Sequence, residues 1–183
     1  MNWLTPILIL LVAYVAVYLE ATFNGIRHFL GAQIDLLPAL MVYAALSSEL
    51  MTIMALAVLG GLWFDSFSSN PLGISILPLF LVGYLIYPRR GLILREQYYT
   101  QLVLGLLASS IVPLMTLLML LSGREPLVVG WGTLWQWLVM AVGGGLLTPV
   151  IFRLFDGLHY ALSYRPVVET SFRMDRELRR GRK

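Results

Sequence analysis

Apolar residues fall along this chain in long blocks, not in the alternation of a half-buried strand. The first block, residues 3–19, is broken only by Thr5, Pro6, Tyr14 and Tyr18. As a helix it reaches roughly 25 Å, the short end of a bilayer span. A cleaved signal peptide is the competing reading. The block lacks a basic leader, and Tyr18-Leu19-Glu20-Ala21 offers no small-x-small cleavage pair, so a retained anchor is expected. A polar stretch with Glu20, Asn24, Arg27, His28 and Gln33 follows, and then three blocks at 34–46, 50–64 and 72–87. These hold 13 to 16 residues each, fewer than the usual span of about 17–25. Their shortness fits tilted helices in a small bundle, a locally thin bilayer, or one helix wrongly divided in two. Ser47-Ser48-Glu49 and the turn-rich run from Asp65 to Gly73 favour three separate helices. Two longer blocks, 98–121 and 134–155, complete the set. The pattern predicts an all-α integral membrane protein: a six-helix transmembrane bundle over residues 1–156 and a basic tail over 157–183.

Composition supports lipid as the main solvent. Hydrophobic residues make up 58% of the 183, and the 16 glycines bring the share to about two thirds, against roughly 45–50% for soluble domains. Charged residues are 13% and mean hydropathy is +0.79, too little polarity to cover a surface facing water. Charge then tests the helix count. Of the 13 cations, Arg89, Arg90 and Arg95 follow the fourth block and eight lie from Arg153 onward, leaving Arg27 and Arg124 for the other side. Six helices put both basic segments on one side and five would separate them. The positive-inside rule then puts both termini in the cytoplasm. Aromatic residues agree: Trp63, Trp131, Trp135 and Trp137 fall near outer ends of spans, and Trp3, Tyr87, Tyr98, Tyr99 and Tyr160 near inner ends.

A charge at mid-bilayer depth would mark a functional site, and none is expected. Glu20, Asp35 and Asp65 fall at outer ends and Glu49, Arg153 and Asp156 at inner ends, in reach of water or headgroups. That disfavours a proton relay or ion-coupled pump. Asp35 and Asp65 lack the sequence setting of an intramembrane aspartyl protease. With no cysteine and two histidines, His28 and His159, on opposite sides, no metal site is expected. Phosphate-binding loops, zincin helices and nucleophile elbows are absent from the sequence. Neither an enzyme nor a cofactor is expected.

Packing chemistry remains. Ala57 and Gly61, with Gly60 beside them, stand four apart in the third block, and Ala141 and Gly145 four apart in the sixth. That spacing lets helix backbones approach closely, within the bundle or against another protein, a second copy included. Pro38, Pro78, Pro113 and Pro149 are each expected inside a span, kinking four of the six helices. The tail from Arg165 carries seven cations against Glu169, Asp175 and Glu177. It suits contact with the membrane surface, a protein partner, or service as a solvated topology determinant, and nucleic acid is not needed.

Across residues 34–87 the chain resembles the rod shape-determining protein MreD family. The pattern is Asp35-Leu36-Leu37-Pro38, an aliphatic span, Gly60-Gly61-Leu62-Trp63-Phe64-Asp65, Asn70-Pro71-Leu72-Gly73 and Leu81-Val82-Gly83-Tyr84-Leu85. The basic tail is longer than that family leads one to expect. The resemblance implies a non-enzymatic scaffold of the bacterial cell-elongation (Rod) complex in the inner membrane. Its partners would be MreC and, in the same assembly, RodA, its class B penicillin-binding transpeptidase and the MreB filament, all serving peptidoglycan synthesis and rod shape. It singles out Gly60, Gly61, Asp65, Asn70, Pro71 and Gly73 as the partner or packing motif, with Asp65 pinning the loop that follows it. It also implies a fold similar to the substrate-binding S-component of energy-coupling-factor (ECF) vitamin transporters, which are the alternative function. Those subunits often carry an Ala-x-x-x-Ala contact in the first helix; here Ala13 and Ala16 are followed four residues on by Val17 and Glu20, so the contact is missing.

Overall fold

The computed structural model describes residues 4–22, 31–68, 70–93, 95, 97–122 and 130–162. The expectations for Trp3, Arg27, His28, Arg124 and the tail beyond 162 lie outside the described residues. Within them the chain forms six α-helices and no strand: α1 (Leu4–Thr22), α2 (Leu37–Ser47), α3 (Leu50–Phe67), α4 (Ile76–Ile86), α5 (Tyr98–Ser122) and α6 (Trp131–Leu162), with a single 3-10 turn at Tyr87–Arg89. Four of them, α1, α3, α5 and α6, are long and apolar enough to cross a bilayer, which makes this a membrane protein.

The two short helices have a physical explanation. From Leu37 to Leu46 every residue of α2 is buried, and α2 touches each of the other five helices. A helix apolar on all faces belongs in a core. At 11 residues it is roughly 16 Å long, and its ends lie inside protein. Tyr43, stacked on Phe155 at 4.2 Å and edge-on to Phe152 at 5.0 Å, ties it to α6. The expected block 34–46 therefore begins late: Ile34, Asp35 and Leu36 are not helical. Ser48 and Glu49 adopt extended backbone angles, so α2 and α3 are separate helices. The fourth block is likewise trimmed, because residues 72–75 form turns before α4.

The outward faces invert the soluble pattern. Ile7, Leu11 and Val15 on α1, and Leu138, Val142, Leu146 and Val150 on α6, are exposed, while Ile9, Ala13 and Val17 of α1 face the core. Lipid is the solvent that tolerates such a surface. Helix α6 has 32 residues, roughly 48 Å against a hydrocarbon core of about 30 Å. It runs past the expected end at 155 and takes residues 157–162 from the segment assigned to the tail.

The proline expectation needs correction. Pro38 and Pro78 lie in the first turns of α2 and α4, where the missing amide hydrogen has no intrahelical partner to lose. Only Pro113 in α5 and Pro149 in α6 stand inside helices.

Successive helices reverse direction. The Thr5 hydroxyl lies 3.4 Å from His159 Nε2, so α1 starts where α6 ends. Arg90 donates to the Ser48 carbonyl at 2.8 Å and Arg95 meets Asp156 at 3.2 Å, gathering the ends of α2, α4 and α6 at the same pole. Arg89, Arg90, Arg95 and Arg153 all belong to this arginine end. At the opposite end Glu20, Asp35 and Asp65 serve the starts of α2 and α4.

Candidate functional site

The loop between α3 and α4 folds around one carboxylate. Asp65 lies in the last turn of α3 and is 1% exposed. Its Oδ2 accepts from the amides of Gly73 at 2.8 Å and Ser75 at 3.2 Å, and its Oδ1 from the Ser75 hydroxyl at 2.6 Å. Ser75 is the N-cap residue of α4 and makes no cap bond with its own side chain; Asp65 satisfies that helix start from across the loop. The amide of Ile74 donates to the Pro71 carbonyl, and Gly73 takes φ +89°, which an L side chain resists. The loop can close only if α3 and α4 come near each other, and Gly61 permits it. A Cβ there would lie 3.0 Å from the Ile76 nitrogen. Gly60 faces Leu37 of α2 instead, where a Cβ would meet the Leu37 side chain at 3.2 Å.

Gly60, Gly61, Asp65, Pro71 and Gly73 thus form one junction of α2, α3 and α4. Asn70 borders it, its amide donating to Ser68 Oγ at 3.3 Å. Ala57 is buried one turn further along α3. Ala141 and Gly145 belong elsewhere, on the face of α6 that meets α5, where Gly145 abuts the backbone of Leu106. Both small-residue pairs face the interior of this chain.

The acids at this end are not solvated as expected. Asp35 is 8% exposed and its Oδ1 accepts from the Leu37 amide at 2.9 Å; Glu20 Oε1 accepts from the Leu36 amide at 2.7 Å, while its Oε2 is buried without a hydrogen-bond partner. The amides at the start of α2 need acceptors that the helix cannot provide, and these carboxylates supply them. Both Asp65 oxygens are engaged by the loop before α4, whereas Asp35 bonds the start of α2.

Several contributors were not singled out by sequence. Gly105 and Ser109 on α5 face Thr148 and Gly144 on α6, each glycine accepting the other helix's hydroxyl residue so closely that a Cβ would collide. Their i, i+4 spacing was the available signal. Arg95 reaches Asp156 and lies 5.5 Å from the Tyr43 ring, while Gln101 Nε2 donates to its carbonyl at 2.7 Å; nothing local in sequence pairs these residues.

Between α2, α3, α4, α5 and α6, at the acid-capped end, lies a cavity of about 600 Å³. Phe64, Leu79, Val112 and Met140 give it an apolar wall, and Gln33, Asp35, Asn70, Ser75, Thr133 and Gln136 add polar groups. Among the described residues no three His, Asp or Glu side chains gather as a metal site. Comparison with protein-family models, curated proteins and solved structures finds no match.

Proposed function

We propose that this protein is a non-enzymatic membrane scaffold similar in role to MreD. In that role it binds MreC and helps organise RodA, the class B transpeptidase and MreB around lateral peptidoglycan synthesis. The carrying observation is the junction of Gly60, Gly61, Asp65, Pro71 and Gly73. These residues of the resemblance are gathered into one clasp between α3 and α4, with Gly60, Gly61 and Asp65 buried and Pro71 and Gly73 in the loop that closes over them. A scaffold needs helix faces held at fixed angles, and a clasp of glycines and a fully bonded carboxylate supplies that rigidity. In this reading the six helices form a membrane-embedded bundle like the ECF S-component, with α1, α3, α5 and α6 crossing the bilayer and the shorter α2 and α4 packed among them. The arginine end faces the cytoplasm of a bacterial inner membrane, because cationic segments are retained on that side.

Depletion in the native bacterium, with cell shape as readout, tests the reading. Widened or rounded cells, and loss of co-purification with MreC when Gly61 is replaced by Leu, are expected. Unchanged rod width accompanied by lost uptake of a vitamin would assign the chain to the transporter subunits instead.

A further inference from the structure

We propose that the cavity at the acid-capped end is a binding site for a small organic amine, with an apolar body held by the helices and an ammonium group received by Asp35. The inference does not rest on the scaffold reading, since a scaffold and a transport subunit are equally able to hold such a molecule.

Size is the first support. A volume of about 600 Å³ falls within the roughly 300–1,000 Å³ of small-molecule sites, which are mostly apolar with a few convergent polar groups. This wall has that composition, with Phe64, Leu79, Val112 and Trp137 around a minority of amides and hydroxyls.

Charge selects the ligand class. Among the described residues, Asp35 is the one ionisable residue lining the cavity. It is more than nine-tenths buried, and one hydrogen bond, from the Leu37 amide, leaves most of a carboxylate's acceptor capacity unused. The described arginines, Arg89, Arg90, Arg95 and Arg153, are all at the opposite end of the bundle, so none of these four lies beside Asp35. Helix starts often attract anions, but here Glu20, Asp35 and Asp65 already accept from the amides at the starts of α2 and α4. A phospholipid headgroup would bring its phosphate against the Asp35 carboxylate and is disfavoured by that like-charge repulsion. A buried carboxylate with spare acceptor sites is matched by an ammonium, and charge-assisted bonds of this kind are the strong ones.

The test uses the full chain purified in detergent and three indole probes of nearly equal shape: tryptamine, tryptophol and indole-3-propionate. Thermal unfolding is followed against probe concentration. Tryptamine should raise the melting temperature saturably, tryptophol less, and indole-3-propionate not at all. Asp35→Asn, which keeps the acceptor for the Leu37 amide, should weaken tryptamine by about tenfold or more, the order expected when a charged hydrogen bond becomes neutral. Met140→Trp and Thr116→Trp, which fill the cavity from α6 and α5, should abolish the tryptamine effect. Two filling variants are used so that one that fails to fold leaves the other to decide. The proposal is overturned by the lack of any saturable shift with tryptamine, by equal shifts from all three probes, or by a tryptamine shift that survives in a folded filling variant.

Discussion

At Asp65 one side chain makes three hydrogen bonds across a loop, and removing it strands their donors. Asp65→Ala should cost about 3 kcal/mol, since buried donors left without partners lose roughly 1–3 kcal/mol each. Asp65→Asn, which keeps one acceptor, should cost less. Unfolding in mixed micelles measures both, and equal losses would show that the bonds to Oδ2 contribute nothing. Two glycines near it differ in what constrains them. Gly73→Ala should cost about 1–2 kcal/mol through its positive φ alone, because the nearest atom to a new Cβ is 3.7 Å away. Gly61→Ala should cost more than Gly60→Ala, because the Gly61 Cβ would strike the backbone of Ile76 while that of Gly60 would meet a leucine side chain able to rotate. The Gly-Gly pair and the acid were visible in the sequence. Which glycine touches backbone was not, because that depends on the approach of α4.

Helices α5 and α6 interlock through reciprocal small residues. Gly105 lies against Thr148 and Gly144 against Ser109, so the hydroxyl residues sit in notches that glycine alone provides. Gly144→Ala should destabilise the pair by roughly 1–3 kcal/mol as an overpacked contact, and adding Ser109→Gly should restore part of the loss. A double-mutant cycle in the same unfolding assay measures this, and strictly additive losses would mean that the two positions do not meet. Arg95 and Asp156 also join elements, but their side chains are 39% and 61% exposed. Coupling between Arg95→Ala and Asp156→Ala should stay below about 1 kcal/mol, as for exposed ion pairs in general. Five of the six helices were legible as blocks to within a few residues at most ends. The poorest boundary is the end of α6, at 162 against an expected 155; the late starts of α2 and α4 fall where carboxylates from preceding segments decide which amide begins the helix.

For the whole molecule, alternating helix direction makes a prediction that a chain without cysteine is well suited to test. Single cysteines at Tyr99 and Tyr160, both exposed at the arginine end, should react with a membrane-impermeant maleimide from one side of the membrane. Cysteines at Phe67 and Trp131, exposed at the other end, should react from the opposite side. Labelling of positions 67 and 160 from the same side would refute the arrangement. Sequence by itself determined the apolar solvent and the number of helices among the described residues, because each follows from a sum or a period along the chain and needs no knowledge of neighbours. Only tertiary structure decided that α2 is a core helix touching all five others, that Glu20, Asp35 and Asp65 accept from backbone amides at helix starts, and that a cavity opens beside Asp35. These properties arise where segments distant in sequence meet, and a carboxylate at the end of an apolar block reads the same whether a headgroup or another helix lies beyond it.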